Sequence, residues 1–171
     1  MTFATDPRQL AAYKRATKEV GTKEIVGPED NPKIVEWFKQ VGHGWVRDDE
    51  TAWCAAFVGA MLELSGIVST RGLNARSYVE WGEEVKEPRP GDIVVFWRGS
   101  PDSWKGHVGF FVSQDRKHIK VLGGNQANSV SFANYSTASL LSIRRARSTV
   151  EPSAFAGIIA LIMKIFSSWK G

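Results

Sequence analysis

A chain of 171 residues and 18.9 kDa has room for one compact domain and a short appendage. Hydrophobic residues at 43% and charged residues at 23% supply a core and exclude disorder over most of the length, and a single cysteine excludes a disulfide-stapled scaffold, which leaves Cys54 as a core residue or a reactive thiol. Twenty-two Lys plus Arg against eighteen Asp plus Glu leave +4 and a pI near 9.3, too mild and too interspersed to demand nucleic acid but suited to a polyanionic surface.

Asp6-Pro7 and Asn31-Pro32 each set a side-chain acceptor before a proline, the arrangement that caps a helix and starts it with a preset φ. They predict helices over about Pro7–Val20 and Pro32–Val41, the second with Ile34, Val35 and Phe38 at helical spacing. Asp48, Asp49, Glu50 and Thr51 are expected to cap a third helix, whose Cys54, Phe57, Val58, Met61, Leu62 and Ser65 recur at helical spacing. A short helical piece around Asn74–Trp81 leads to Pro88, Pro90 and Gly91. Beyond Pro90 the pattern changes to β-branched and aromatic runs bounded by glycine. GDIVVFWRG, GHVGFFVSQ, HIKVLGG, SVSFANY and LLSIRRA read as five strands, with Asp115–Lys117 as a hairpin turn. Helices followed by strands predict an α+β domain with an antiparallel sheet over residues 1–150.

Residues 151–171 read as a separate apolar tail, whose run from Ala154 to Trp169 is sixteen residues, short of the roughly 20 of a membrane span. As a helix it sets Phe155, Ile158, Ile159, Ile162, Phe166 and Trp169 on one face, either to dock on the domain or, with its lysines and Arg144, Arg145 and Arg147 upstream, to meet an anionic membrane surface. The opening MTFATDPRQL has neither the basic nor the apolar segment of a secretory leader.

Cys54 opens a helix, where free N–H groups and the helix dipole are expected to lower a thiol's pKa. Period-2 alternation in GHVGFFV sets His107, Gly109 and Phe111 on one face, and the helix bearing Cys54 is the expected cover of that face. Asn125 in LGGNQ stands where an adjacent antiparallel strand brings a polar side chain beside His107, so a nucleophile, a base and an orienting partner are available. Each also has a structural reading: a small core residue, a strand-opening histidine, a turn asparagine. Seven tryptophans are many for this length; Trp53, Trp97 and Trp104 are candidates for lining a groove. No GxSxG, HExxH, GxxxxGK[ST] or GxGxxG occurs, and one cysteine with scattered histidines argues against zinc, so no metal or cofactor is expected.

Taken in order, DDETAWCAAF, ARSYVEWG, RPGDIVVFWRG, GHVGFFV and VLGGNQ resemble the CHAP-type and NlpC-type cysteine peptidases and amidases of bacterial cell walls, in particular a short subfamily common in phages and prophages. The resemblance spans roughly residues 20–145. It implies a papain-like fold, peptidoglycan as substrate, Cys54 as nucleophile, His107 as base and Asn125 as the polar third member. The Glu that many CHAP domains carry after the histidine has no clear equivalent. Trp53, Glu50, Trp104 and Gln126 are the expected substrate contacts. The implied protein is a monomeric phage or prophage lysis enzyme, made in the bacterial cytoplasm and acting on the wall after release. Its rivals are a toxin of the same chemistry delivered into competing bacteria and a non-catalytic wall-binding domain.

Overall fold

The computed structural model of the protein describes residues 6–147; the apolar tail expected over 151–171 lies outside them. Helix α1 (Pro7–Lys18) starts where Asp6 accepts from the Arg8 N–H, and α2 (Pro32–Gln40) where Asn31 accepts from the Lys33 N–H, so both Asx-Pro starts act as the sequence predicts. Helix α3 (Cys54–Glu63) is buried along its whole length to Leu62 rather than on one stripe, because α1 and α2 pack on it from one side and the sheet from the other. The acidic residues before α3 do not cap it: no side chain does. Asp49 lies too far upstream and instead accepts the N–H groups of Ile25 and Asn31, while Asp48 accepts that of Thr51. The piece after α3 is a 3₁₀-helix, Ala75–Glu80.

The sheet has six antiparallel strands, one more than expected: β1 (Glu83–Glu84), β2 (Ile93–Trp97), β3 (Gly106–Gln114), β4 (His118–Gly123), β5 (Ser131–Ser136) and β6 (Leu140–Arg145), in the order β1-β6-β2-β3-β4-β5. The two-residue β1 sets Glu83 and Glu84 opposite Arg145 and Arg144 and has no apolar alternation to announce it. Asp115 closes the β3–β4 hairpin by accepting from the N–H groups of Lys117 and His118.

Sheet residues Ile93, Val95, Val108, Phe110 and Leu122 join the core under the three helices, where Phe57 meets Phe110 edge-on with centroids 6.4 Å apart. The opposite face carries a second apolar cluster of Val94, Phe96, Phe111, Ile119, Val121 and Ile143. Central strand β2 is therefore buried on both faces, which is why it reads as a continuous apolar run. Two buried polar clamps tie the ends together. The Gln9 amide donates to Gly91 O and accepts from Ala146 N, and Asp92 accepts twice from Arg145 at 2.7 and 2.8 Å.

Candidate active site

Cys54 is the first residue of α3, reached from Trp53, whose indole is fully buried and donates to Glu24 at 2.8 Å. Gly124 lets this helix start cross the end of the sheet, since a Cβ there would lie 2.5 Å from the Trp53 ring and 2.7 Å from Phe57. Strand β4 ends at Gly123, so the N–H of Val108 on β3 has lost its neighbouring strand and favours the Cys54 thiolate instead. The N–H groups of Cys54 and Ala55, uncapped at the helix start, also favour the thiolate. Helix geometry alone predicts a lowered thiol pKa. The structure reverses the direction: burial pushes the thiol up, against the pull of these N–H groups and of the Arg98 charge. The resting thiol is protonated at neutral pH.

His107 on β3 has no exposed surface. Alternation assigned its face correctly but not the cover. Helix α3 packs on the face of Val108 and Phe110, whereas His107 shares the opposite face with Phe96 and stacks on Tyr135 at 4.8 Å and 14°. The Val108 N–H that favours the Cys54 thiolate belongs to the residue next to His107 on β3.

The imidazole's partner is Gln126, not Asn125. Gln126 Oε1 lies 3.1 Å from His107 Nε2, and its amide nitrogen donates to Ser131 O at 2.6 Å, so the oxygen must face the ring and Nε2 must carry the hydrogen. On the other side Arg98 Nη2 lies 3.2 Å from Nδ1, and a guanidinium only donates, so Nδ1 is the acceptor. Both constraints select one neutral tautomer, the one with its lone pair on Nδ1. Burial first, and the Arg98 charge second, press the imidazole's pKa down to about 3, with the Gln126 bond opposing. Extending the Phe110–Leu122 register by three residues would set Asn125 opposite His107, as the sequence reading assumed. The ladder has already stopped, Asn125 takes a left-handed φ of 54°, and the reversed chain returns Gln126 to the sheet.

A cavity of about 220 Å³ opens over Cys54, lined by Ala52, Leu73, Asn74 and Ala75 on one side and by Arg98, Trp104, Lys105 and Gly106 on the other. Asn74 donating to Trp104 O and Arg76 donating to Pro101 O tie the two sides together. Of the expected substrate contacts, Trp104 is 72% exposed and on the cavity wall. Trp53 is a correction, because its ring packs in the core between Trp37 and Phe57. Gln126 is another, spent on the imidazole and buried. Glu50 is exposed and does not line this cavity. Sequence reasoning missed Arg98 and Tyr135. The alternation of SFANYS, which turns Ser131 and Tyr135 to one side, was the available signal for the tyrosine.

Residues 34–125 match the CHAP domain family, more than half of the chain. No curated protein matches. Among solved structures the fold is similar to a hypothetical invasion protein of Mycobacterium tuberculosis, at 16% identity over 81% of this chain and 62% of that one, with a TM-score of 0.50. It is similar also to NlpC1 from Trichomonas vaginalis, at 16% identity over 85% of this chain and 46% of that one, TM-score 0.50. A third is the peptidoglycan hydrolase RipB from Mycobacterium tuberculosis, at 16% identity over 83% and 66%, TM-score 0.50. The chain thus spans less than two thirds of the length of the first two, and at these identities the likeness is one of fold: helices packed on an antiparallel sheet in the papain-like manner.

Proposed function

Because this chain belongs to the CHAP domain family, we propose that it hydrolyses an amide bond of bacterial peptidoglycan, with Cys54 as nucleophile, His107 as base and Gln126 as the residue that orients the imidazole. The observation that carries this reading is a cysteine opening α3 at the cavity, beside a strand whose imidazole is held in the one tautomer that can accept a proton at Nδ1. The similarity to RipB, which is named a peptidoglycan hydrolase, supports the substrate class.

In the proposed cycle Nδ1 takes the thiol proton as sulfur attacks the amide carbonyl, so the neutral resting pair becomes charged only as the reaction begins. The uncapped N–H groups at the start of α3 receive the developing oxyanion. The imidazolium gives its proton to the departing amine and leaves a thioester. Water then loses a proton to Nδ1 and adds to the thioester, releasing the carboxylic acid and restoring the thiol. Gln126 holds Nε2–H throughout, its own amide fixed by Ser131. The same proposal places the protein, as a monomer, in phage- or prophage-driven lysis after release from the cytoplasm, with residues 152–171 as its contact to an anionic membrane.

The test is mass spectrometry of the fragments released from purified peptidoglycan. Wild type should open one class of amide bond, which also decides between endopeptidase and N-acetylmuramoyl-L-alanine amidase, and Cys54→Ser should open none while melting at the wild-type temperature. Turnover by Cys54→Ser would remove the cysteine mechanism, and no release by wild type would remove the hydrolase reading.

A further inference from the structure

Arg98 leaves the end of β2 with an exposed side chain, yet its guanidinium reaches inward to the buried Nδ1 of His107. That nitrogen is the one the proposed cycle needs. While a permanent donor holds it, the imidazole cannot accept the thiol proton, so Arg98 must leave Nδ1 before each turnover. Something has to draw it away.

Arg8, Arg71 and Arg145 each pair with a carboxylate. Arg98 has no carboxylate within ion-pair distance among the described residues; its partners are the imidazole and the Tyr135 side chain. It also forms a wall of the cavity over Cys54, whose two charged lining residues, Arg98 and Lys105, are both cations. A planar guanidinium offers a carboxylate two parallel bonds with both partners charged, whereas the imidazole nitrogen accepts one bond and carries no charge. A carboxylate entering this cavity therefore outcompetes Nδ1 for the same donor.

We propose that Arg98 is a specificity-determining residue that binds a free carboxylate of the substrate beside the scissile amide and, in doing so, releases Nδ1 of His107 to the thiol. The proposal rests on the hydrolase reading for its substrate class, a peptide with a free carboxylate close to an amide bond. Neutralising Arg98 also removes one of the two causes that keep the imidazole from holding a proton, so the same contact that selects the substrate eases the proton transfer. A carboxamide in place of the carboxylate leaves Arg98 where it stands, and such a substrate is discriminated against.

The experiment uses the full chain carrying Cys54→Ala and two synthetic peptidoglycan stem peptides that differ only in one carboxylate or carboxamide. Titration calorimetry should show the carboxylate peptide binding about tenfold or more tightly, the scale of a lost charge-assisted bond. Adding Arg98→Gln should bring the two affinities together, and Arg98→Lys, which keeps the charge but loses the fork, should restore part of the difference. Arg98 is exposed, and a thermal melt of each variant checks that the fold is kept. Equal affinities for the two peptides, or no binding of either, overturns the inference, as does a preference that survives Arg98→Gln. Hydrolysis by wild type is measured separately: failure to cleave either peptide counts against the hydrolase reading, while the binding result still decides the role of Arg98.

Discussion

Replacing Gln126 by Leu tests the site where sequence and structure disagree. The leucine keeps the bulk but removes the acceptor 3.1 Å from His107 Nε2 and the donor 2.6 Å from Ser131 O. His107 has no exposed surface, so no water replaces the lost acceptor, and a buried N–H without a partner costs about 1–3 kcal/mol. The ring can escape that cost by shifting its hydrogen to Nδ1 or by rotating out of its stack on Tyr135, and either removes the lone pair that takes the thiol proton. If that cost falls on the transition state, kcat drops by about 5- to 150-fold, since each 1.36 kcal/mol is tenfold in rate. KM should change little because Gln126 does not line the cavity over Cys54. Asn125→Ala is the control. It costs roughly 1 kcal/mol of stability, the strain of a left-handed φ with a plain Cβ, and leaves kcat at the wild-type value. The assay is steady-state release of new amine termini from purified peptidoglycan, paired with thermal melts. Wild-type kcat in Gln126→Leu, or a loss of tenfold or more in Asn125→Ala, would refute this account of the imidazole's partner.

Gly123→Ala places a Cβ 2.8 Å from Gln126 Oε1 and 3.0 Å from His107 Nε2, and should lower kcat about tenfold by prising that bond apart; an unchanged rate would show the pair can shift without loss. Asp92→Asn leaves Arg145 half-unpaired in a clamp whose carboxylate is fully buried, and should cost about 3–5 kcal/mol, read as a fall of roughly 10 °C in Tm. His107 contributes to stability against acid. Its pKa is held at about 3 in the fold and is near ~6.5 in the unfolded chain, so the unfolded state binds more protons in between. That stability is complete above about pH 6.5 and is lost as pH falls toward 3. Denaturant titrations between pH 7 and 6, above the ordinary carboxylate range, should show a slope in wild type that His107→Gln removes; parallel slopes would contradict a buried neutral imidazole.

What the sequence determined by itself is local. Asp6-Pro7 and Asn31-Pro32 contain both the cap and the preset φ of the helices they start, and GHVGFFVSQ contains its own strand limits, because those choices are made by neighbours within a few residues. A cysteine at a helix start and a histidine opening a strand were legible for the same reason. The resemblance carried by five ordered motifs reached further and agrees with the family and the fold.

Only the tertiary structure decided how these pieces meet. Period-2 alternation says that His107 and Val108 face opposite ways, but not which face α3 covers; burial of Phe57 against Phe110 settles that. Register arithmetic points to Asn125 as long as β4 continues. It stops at Gly123 because α3 crosses there, and a left-handed turn hands the position to Gln126. The direction of the Cys54 pKa shift depends in the same way on burial under the finished domain, which outweighs the helix-start N–H groups. Arg98 reached His107 without any motif to mark it, since β2 and β3 set Phe96 opposite His107 and so bring the residue beyond Trp97 within a side chain's length of the imidazole. Hydrogen bonds across a strand end and the dielectric around a buried group are properties of packing between distant segments, and no window of neighbouring residues contains them.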